Sequence, residues 1–153
     1  MRISPARLPH DIDPVKALFT EYAQELGIDL GFQGFDEELR SLPGPYAPPA
    51  GALLLGWSGD TAVGVVAMRD LGDGICEMKR MVIRPDHRGG GLGRQLAAAI
   101  VAAAQAAGYH SMRLDTLARL RPALDLYASM GFVEIPAYRF NPHHDAVFLE
   151  LRL

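Results

Sequence analysis

At 153 residues the chain has the length of one domain, and its 49% hydrophobic content supplies a core and argues against disorder. The formal charge of −3 and the pI near 5.9 argue against a general nucleic-acid or anionic-membrane surface. A single cysteine, Cys76, excludes an internal disulfide and any cysteine-based zinc cluster.

Arg2 and Arg7 are followed by no apolar segment, so no signal peptide is expected, and no apolar run is long enough to span a bilayer. The expectation is a cytoplasmic protein forming one domain over residues 1–153. Met1 to Leu8 reads as a first strand that Pro5 shortens or confines to an edge. Asp11-Ile12-Asp13-Pro14 reads as a helix start, with Val15, Leu18, Phe19, Tyr22 and Leu26 on one face and Gly27 as the stop. Phe35 to Leu42 is a shorter amphipathic piece, followed by a proline-rich loop. Ala52 to Trp57 and Thr61 to Arg69 form a hairpin around Ser58-Gly59-Asp60. Beyond the next strand and a helix closed by Gly108 come a strand at His110 to Thr116 and a helix at Pro122 to Met130. Short strands at Phe132 to Ile135 and Ala146 to Leu153 end the chain, joined by a loop from Pro136 to Asp145.

The chain is organised around Arg88-Gly89-Gly90-Gly91-Leu92-Gly93-Arg94, between the β-prone run Ile75 to Ile83 and the strong helix former Gln95 to Ala104. Glycines let the backbone aim its amides at a ligand without a Cβ in the way. The helix start adds unpaired N–H groups and the positive end of its dipole. Such a loop cradles an anionic phosphate group. It lacks the Lys-Ser or Lys-Thr of a Walker loop, and Arg94 stands where a dinucleotide fingerprint needs its third glycine.

What remains is Arg-x-x-Gly-x-Gly, carried by Arg88, Gly91 and Gly93 behind Val82-Ile83-Arg84-Pro85. This resembles the acetyl-coenzyme A loop of the GCN5-related N-acetyltransferases. Ala123-Leu124-Asp125-Leu126-Tyr127-Ala128-Ser129-Met130-Gly131-Phe132 resembles the family's second signature, Ala-hydrophobic-x-Leu-Tyr-x-x-x-Gly-Phe. The resemblance runs from about Leu53 to Phe132. It implies an α/β (α+β) fold: a mixed, mostly antiparallel sheet flanked by helices, with two parallel strands splayed apart at the cofactor site.

The implied activity is direct transfer of acetyl from acetyl-CoA, as co-substrate, to a primary amine in a ternary complex, with no metal. In this reading Tyr127 protonates the departing sulfur. Glu77, eleven positions before Arg88, is the candidate general base. Glu77 could equally pair with Lys79 or Arg69 on one sheet face, leaving water to take the proton. A backbone amide of Met81 or Val82, at a β-bulge, would stabilise the oxyanion. Val82 and Ile83 would bond the pantetheine, and Arg88, Gly89, Gly90, Gly91, Leu92, Gly93 and Arg94 would hold the pyrophosphate, with Arg94 a candidate for the 3′-phosphate.

Leu120 departs from the family pattern, which often has asparagine there. Asp115 and Thr116 either line the cleft or, for Asp115, cap the next turn. Tyr138, Arg139 and Asn141 either frame the acceptor pocket or pack the loop. His143 and His144 lack metal-ligand spacing and read as solvent-facing. A net acidic surface suits a cationic amine, and a small-molecule acceptor is expected over a protein amine. An acyl-CoA-binding domain without catalysis is the alternative. The family suggests a homodimer, for which the C-terminal strand would be a natural edge.

Overall fold

The computed structural model describes residues 1–27 and 34–153. Among the described residues, four α-helices and seven strands follow in chain order: β1 (Arg2–Pro5), α1 (Ile12–Leu26), α2 (Phe35–Ser41), β2 (Ala52–Ser58), β3 (Thr61–Gly72) and β4 (Ile75–Ile83), then α3 (Leu92–Ala106), β5 (Ser111–Leu117), α4 (Arg121–Ser129), β6 (Val133–Ile135) and β7 (Ala146–Arg152). One sheet holds all seven strands in the order β1-β2-β3-β4-β5-β7-β6. Every pairing is antiparallel except β4 with β5. This is the mixed, mostly antiparallel α/β architecture expected.

Alternation along the central strands sends apolar side chains to both faces, so the sheet needs cover on each. Leu53, Leu55, Val65 and Ala67 pack under α1 and α2 with Val15, Leu18, Phe19 and Tyr46. Leu54, Val66, Met68 and Met78 pack under α3 and α4 with Leu96, Ile100 and Tyr127. The α3 face lies close to the sheet: a Cβ at Gly64 would fall 2.8 Å from Ile83 Cδ1 and 3.1 Å from Leu96 Cδ1. The third and fourth residues around each turn of α1 are the ones predicted to face inward, and Val15, Leu18 and Phe19 are fully buried.

Two expectations need correction. The helix after the glycine loop begins at Leu92, not Gln95, because Gly91 in the left-handed region (φ 87°) ends the loop and Leu92 turns into the core. The C-terminal strand is not an edge: β7 lies between β5 and β6. The long connection from Pro136 to Asp145 lets the chain return past β6 and pair with β5 from Ser111–Arg152 to Leu117–Ala146. The edges are the short strands β1 and β6.

Candidate active site

The parallel pair β4 and β5 is hydrogen-bonded only at Ile75–Ser111, Cys76–Met112 and Glu77–Arg113. Beyond that point the strands part. The gap becomes a cleft with two communicating chambers that share Tyr22, Leu26, Met81, Leu120 and Ala123. The outer chamber, about 350 Å³, is walled by Met81, Val82, Ile83, Arg88 and Pro122. The inner one, about 90 Å³, lies at the point of the V among Met78, Lys79, Arg80, Asp115, Thr116, Asn141 and Tyr127.

The divergence has a local cause in β4. Val65 pairs with Val82 and Ala67 with Lys79, so Val66 alone faces both Arg80 and Met81. This is a β-bulge, and Arg80 takes the left-handed conformation (φ 59°) that a bulky side chain rarely adopts. Such strain costs on the order of 1–3 kcal/mol and persists only where its surroundings enforce it. Here the enforcing partners are Glu38 of α2, which pairs with the guanidinium, and the rings of Tyr22 and Phe35, 5.7 and 5.2 Å from it. Burial opposes ionisation of Glu38, but the hydrogen bond and charge of Arg80 prevail and hold its carboxyl below the usual range.

The glycine loop lies at the outer end of the cleft. Gly89 and Gly91 have φ of 85° and 87°, and a Cβ built at Gly89, Gly90 or Gly91 would have no atom within 4 Å. Open space above the loop, α3 amides without a side-chain cap and a strand edge at Met81–Ile83 released from β5 together fit a phosphate carrying an extended amide arm. Gly93 and Leu92 form the first turn of α3. Neither loop arginine is idle: Arg88 ion-pairs with Glu25 of α1 and donates to the Ile83 carbonyl at 2.8 Å. Arg94 donates to Ser129 Oγ at 2.9 Å.

Tyr127 projects from α4 to the inner chamber, with its ring against Phe132 at 5.5 Å. Burial raises its hydroxyl pKa, so the proton stays in place at neutral pH. Leu120 contributes an apolar wall to both chambers. Asp115 and Thr116 line the inner chamber, and Asn141 donates to Asp115 Oδ2 at 3.2 Å.

Glu77 is placed differently from the general-base expectation. It is fully buried and absent from the cleft walls. Arg69, directly across the β3–β4 ladder, donates to Oε1 at 2.9 Å. Tyr138 donates to Oε2 at 2.6 Å, and Arg139 ion-pairs with the same oxygen. The pairing alternative with Arg69 is what the sheet register produces. Tyr138 and Arg139 therefore brace Glu77 and do not line the inner chamber, whereas Asn141 does. His144 is exposed, but His143 is half-buried and its N–H donates to Asn141 Oδ1 at 3.0 Å, contrary to the solvent-facing expectation.

Sequence reasoning gave the charged pair Lys79–Arg80 no site role. Its signal was two adjacent cations inside an apolar strand. Lys79 is only 9% exposed, and burial first, then the Arg80 guanidinium, push its ammonium down to about 7.

The model of the acetyltransferase (GNAT) family matches residues 15–132. The chain belongs to the GNAT family. An N-acetyltransferase of Schizosaccharomyces pombe, described as uncharacterized, is 43% identical to this GNAT chain, over 99% of the chain and 94% of that protein. The structure of a Klebsiella pneumoniae protein described as an acyl-CoA N-acyltransferase matches with a TM-score of 0.74 at 28% identity, over 99% of this chain and 97% of that one. A Salmonella typhimurium structure described with its cofactor acetyl-CoA has the same fold, with a TM-score of 0.71 at 20% identity over 99% and 92% of the chains. At the level of its family this GNAT chain is an acetyl-CoA-dependent N-acyltransferase. No helix among the described residues is long and apolar enough to cross a membrane.

Proposed function

We propose that the chain transfers the acetyl group of acetyl-CoA to the primary amine of a small molecule by direct attack in a ternary complex. The observation that carries this reading is the inner chamber at the point where β4 and β5 part. It is about 90 Å³, roofed by Tyr22 of α1 and flanked by the Arg80 bulge and Tyr127. A chamber of that size takes an amine-bearing end, and in this proposal that end belongs to a small molecule.

The loop from Arg88 to Arg94 would hold the pyrophosphate through backbone amides, with Arg88 and Arg94 adding charge at its rim. The free edge at Met81, Val82 and Ile83 would align the arm. The Met81 or Val82 N–H, turned by the bulge, is the oxyanion donor in this reading. In the transfer the amine nitrogen bonds to the thioester carbon and the carbon–sulfur bond breaks. Tyr127 gives its hydroxyl proton to the departing thiolate, and the proton released by the amine returns through water beside Asp115 to the Tyr127 oxygen. Glu77, sealed from the cleft by its own partners, supports the chamber wall in this scheme.

The test is thiol release from acetyl-CoA with a panel of small primary amines, run beside peptides bearing lysine or a free N-terminus. Turnover of small amines supports the proposal. Turnover of peptides alone would transfer it to a protein acceptor, and acetyl-CoA binding without any turnover would favour a non-catalytic acyl-CoA-binding domain. A cytoplasmic location and a homodimer remain part of the proposal. The exposed Val133 on edge strand β6 is where a second copy would pair, and sedimentation of Val133→Lys against the parent checks it.

A further inference from the structure

The register of the sheet lines up four charged residues in one row. Arg69 of β3 pairs with Glu77 of β4, Glu77 with Arg113 of β5, and Arg113 with Glu150 of β7. The charges alternate along the row, and ion pairs join Arg69 to Glu77 and Arg113 to Glu150. Glu77–Arg113 is also the last paired position of the parallel ladder before β4 and β5 part. The row therefore stands at the vertex of the cleft.

The connection between β6 and β7 is fastened to this row. From residue 136 to residue 145 it contains no helix or strand, so side-chain contacts must offset the entropy of ordering its backbone. Tyr138 supplies the first of them. Its ring packs against Phe148 and the Arg113 guanidinium, each at 5.3 Å, and its hydroxyl donates to Glu77 Oε2 at 2.6 Å. Arg139 ion-pairs with the same oxygen. The two oxygens of Glu77 are thus divided, Oε1 to the sheet through Arg69 and Oε2 to the loop. Because Glu77 is fully buried, departure of the loop would leave Oε2 with neither its donors nor water.

Three residues beyond Tyr138, Asn141 donates from Nδ2 to Asp115 Oδ2 at 3.2 Å, while its Oδ1 accepts the His143 N–H at 3.0 Å. Asp115 is two residues beyond Arg113 on β5, on the same face and past the point where the strands part. Three residues of chain span at most about 10 Å, so pinning Tyr138 at Glu77 limits how far Asn141 can move from Asp115. Asn141 lines the inner chamber and not the outer one, and no other residue of the loop lines either.

We propose that Glu77 is a positioning residue for the acceptor: through Tyr138 and Arg139 it latches the β6–β7 loop to the vertex of the cleft, so that Asn141 and Asp115 form the wall that selects the acceptor. This deepens the acetyl-transfer reading above and rests on it for what enters the chamber. The latch acts on the acceptor end alone, because the loop does not reach the outer chamber where the cofactor arm would lie.

The first experiment needs no acceptor. Hydrogen exchange of the His143 amide, followed by NMR, is compared in the parent and in Tyr138→Phe, which keeps the ring and removes only its bond to Glu77. Exchange at His143 should quicken about tenfold, the effect of losing one hydrogen bond to a charged group, while the Leu149 amide of β7 keeps its protection. Unchanged exchange at His143, or equal loss of protection at Leu149, would overturn the latch. The second experiment uses propylamine, phenethylamine or a lysine peptide, whichever the parent acetylates fastest. Asn141→Ala and Tyr138→Phe should each raise KM for that amine, the former about tenfold, with KM for acetyl-CoA and the shape of the pH–rate profile unchanged. The double variant should be no worse than Asn141→Ala, because both changes act through one contact. Additive effects, or an unchanged amine KM in Asn141→Ala, would overturn the positioning role. Acetylation of the peptide alone would remove the small-amine reading and leave the latch to be judged by the same KM ratios. If the parent acetylates none of the three, the transfer reading and the acceptor role fall together, whatever the exchange at His143.

Discussion

Glu38 and Arg80 form a bidentate ion pair, Nε to Oε2 at 2.9 Å and Nη2 to Oε1 at 3.0 Å, that ties α2 to the bulge of β4. The side chains are 10% and 2% exposed, so neither partner has water to fall back on. Breaking a buried pair from one side costs roughly 3–5 kcal/mol, more than the 1–3 kcal/mol of left-handed strain at Arg80. The pair can therefore hold a backbone conformation that Arg80 would otherwise leave. Glu38→Ala is expected to lower unfolding free energy by roughly 3–5 kcal/mol and to lower kcat more than it raises KM for acetyl-CoA. Urea denaturation with parallel kinetics checks both, and unchanged kcat in a folded variant would dissociate the pair from the bulge.

Tyr127→Phe keeps the ring packed on Phe132 and removes only the hydroxyl. Loss of a positioned proton donor typically costs about 10²–10⁴ in rate, so kcat should fall by about a hundredfold or more while acetyl-CoA binding by calorimetry is retained. Full turnover in this variant would move the proton donor elsewhere.

Glu77→Gln separates two roles. A general base would leave a kcat profile that loses its acidic limb in the variant. A buried brace facing Arg69 and Arg139 would instead leave the profile's shape intact and cost stability, roughly 3–5 kcal/mol for two uncompensated guanidiniums. The second result is expected from the placement of Glu77, and thermal melts beside a pH–rate profile distinguish them.

Gly91 occupies a left-handed conformation at the head of α3 with open space above it. Gly91→Asp places strain and a negative charge where an anionic phosphate would approach. Acetyl-CoA affinity should fall by about tenfold or more in titration calorimetry. Equal affinity would detach the loop from the cofactor.

Lys79 gives stability a pH dependence whose sign follows from its lowered value. Below about 7 both states hold the proton; between about 7 and the ordinary value of 10.5 only the unfolded chain does. Unfolding then takes up a proton, so stability rises with pH across that window. The melting temperature should increase from pH 7 to pH 9, and Lys79→Met should lose that increase. Above pH 9 the buried Cys76 thiol, raised to about 12, acts in the opposite direction because the folded chain keeps its proton longer. A flat profile in the parent protein would show that Lys79 is not desolvated.

Much of this protein is written in contiguous residues. The phosphate loop, the helix behind it, the hairpin of β2 and β3 and the signature around Tyr127 each depend on backbone preferences and spacing within a dozen residues. Those are local quantities that a sequence displays directly, which is why the fold class and the glycine-rich turn into α3 were legible. The environment of each charged group is not local. Arg69 meets Glu77 through sheet register, Tyr138 and Arg139 reach it from a loop about sixty residues on, and Glu38 reaches Arg80 across forty-two. Only the fold brings those groups within a few ångströms, and at that range desolvation and pairing decide whether a carboxylate is a base or a brace. The same holds for β7, whose place between β5 and β6 was decided by pairing across a long loop and not by its own residues. The sequence by itself determined the glycine loop between β4 and α3; the tertiary structure decided which side chains face the cleft, because burial and charge are properties of neighbours and not of order along the chain.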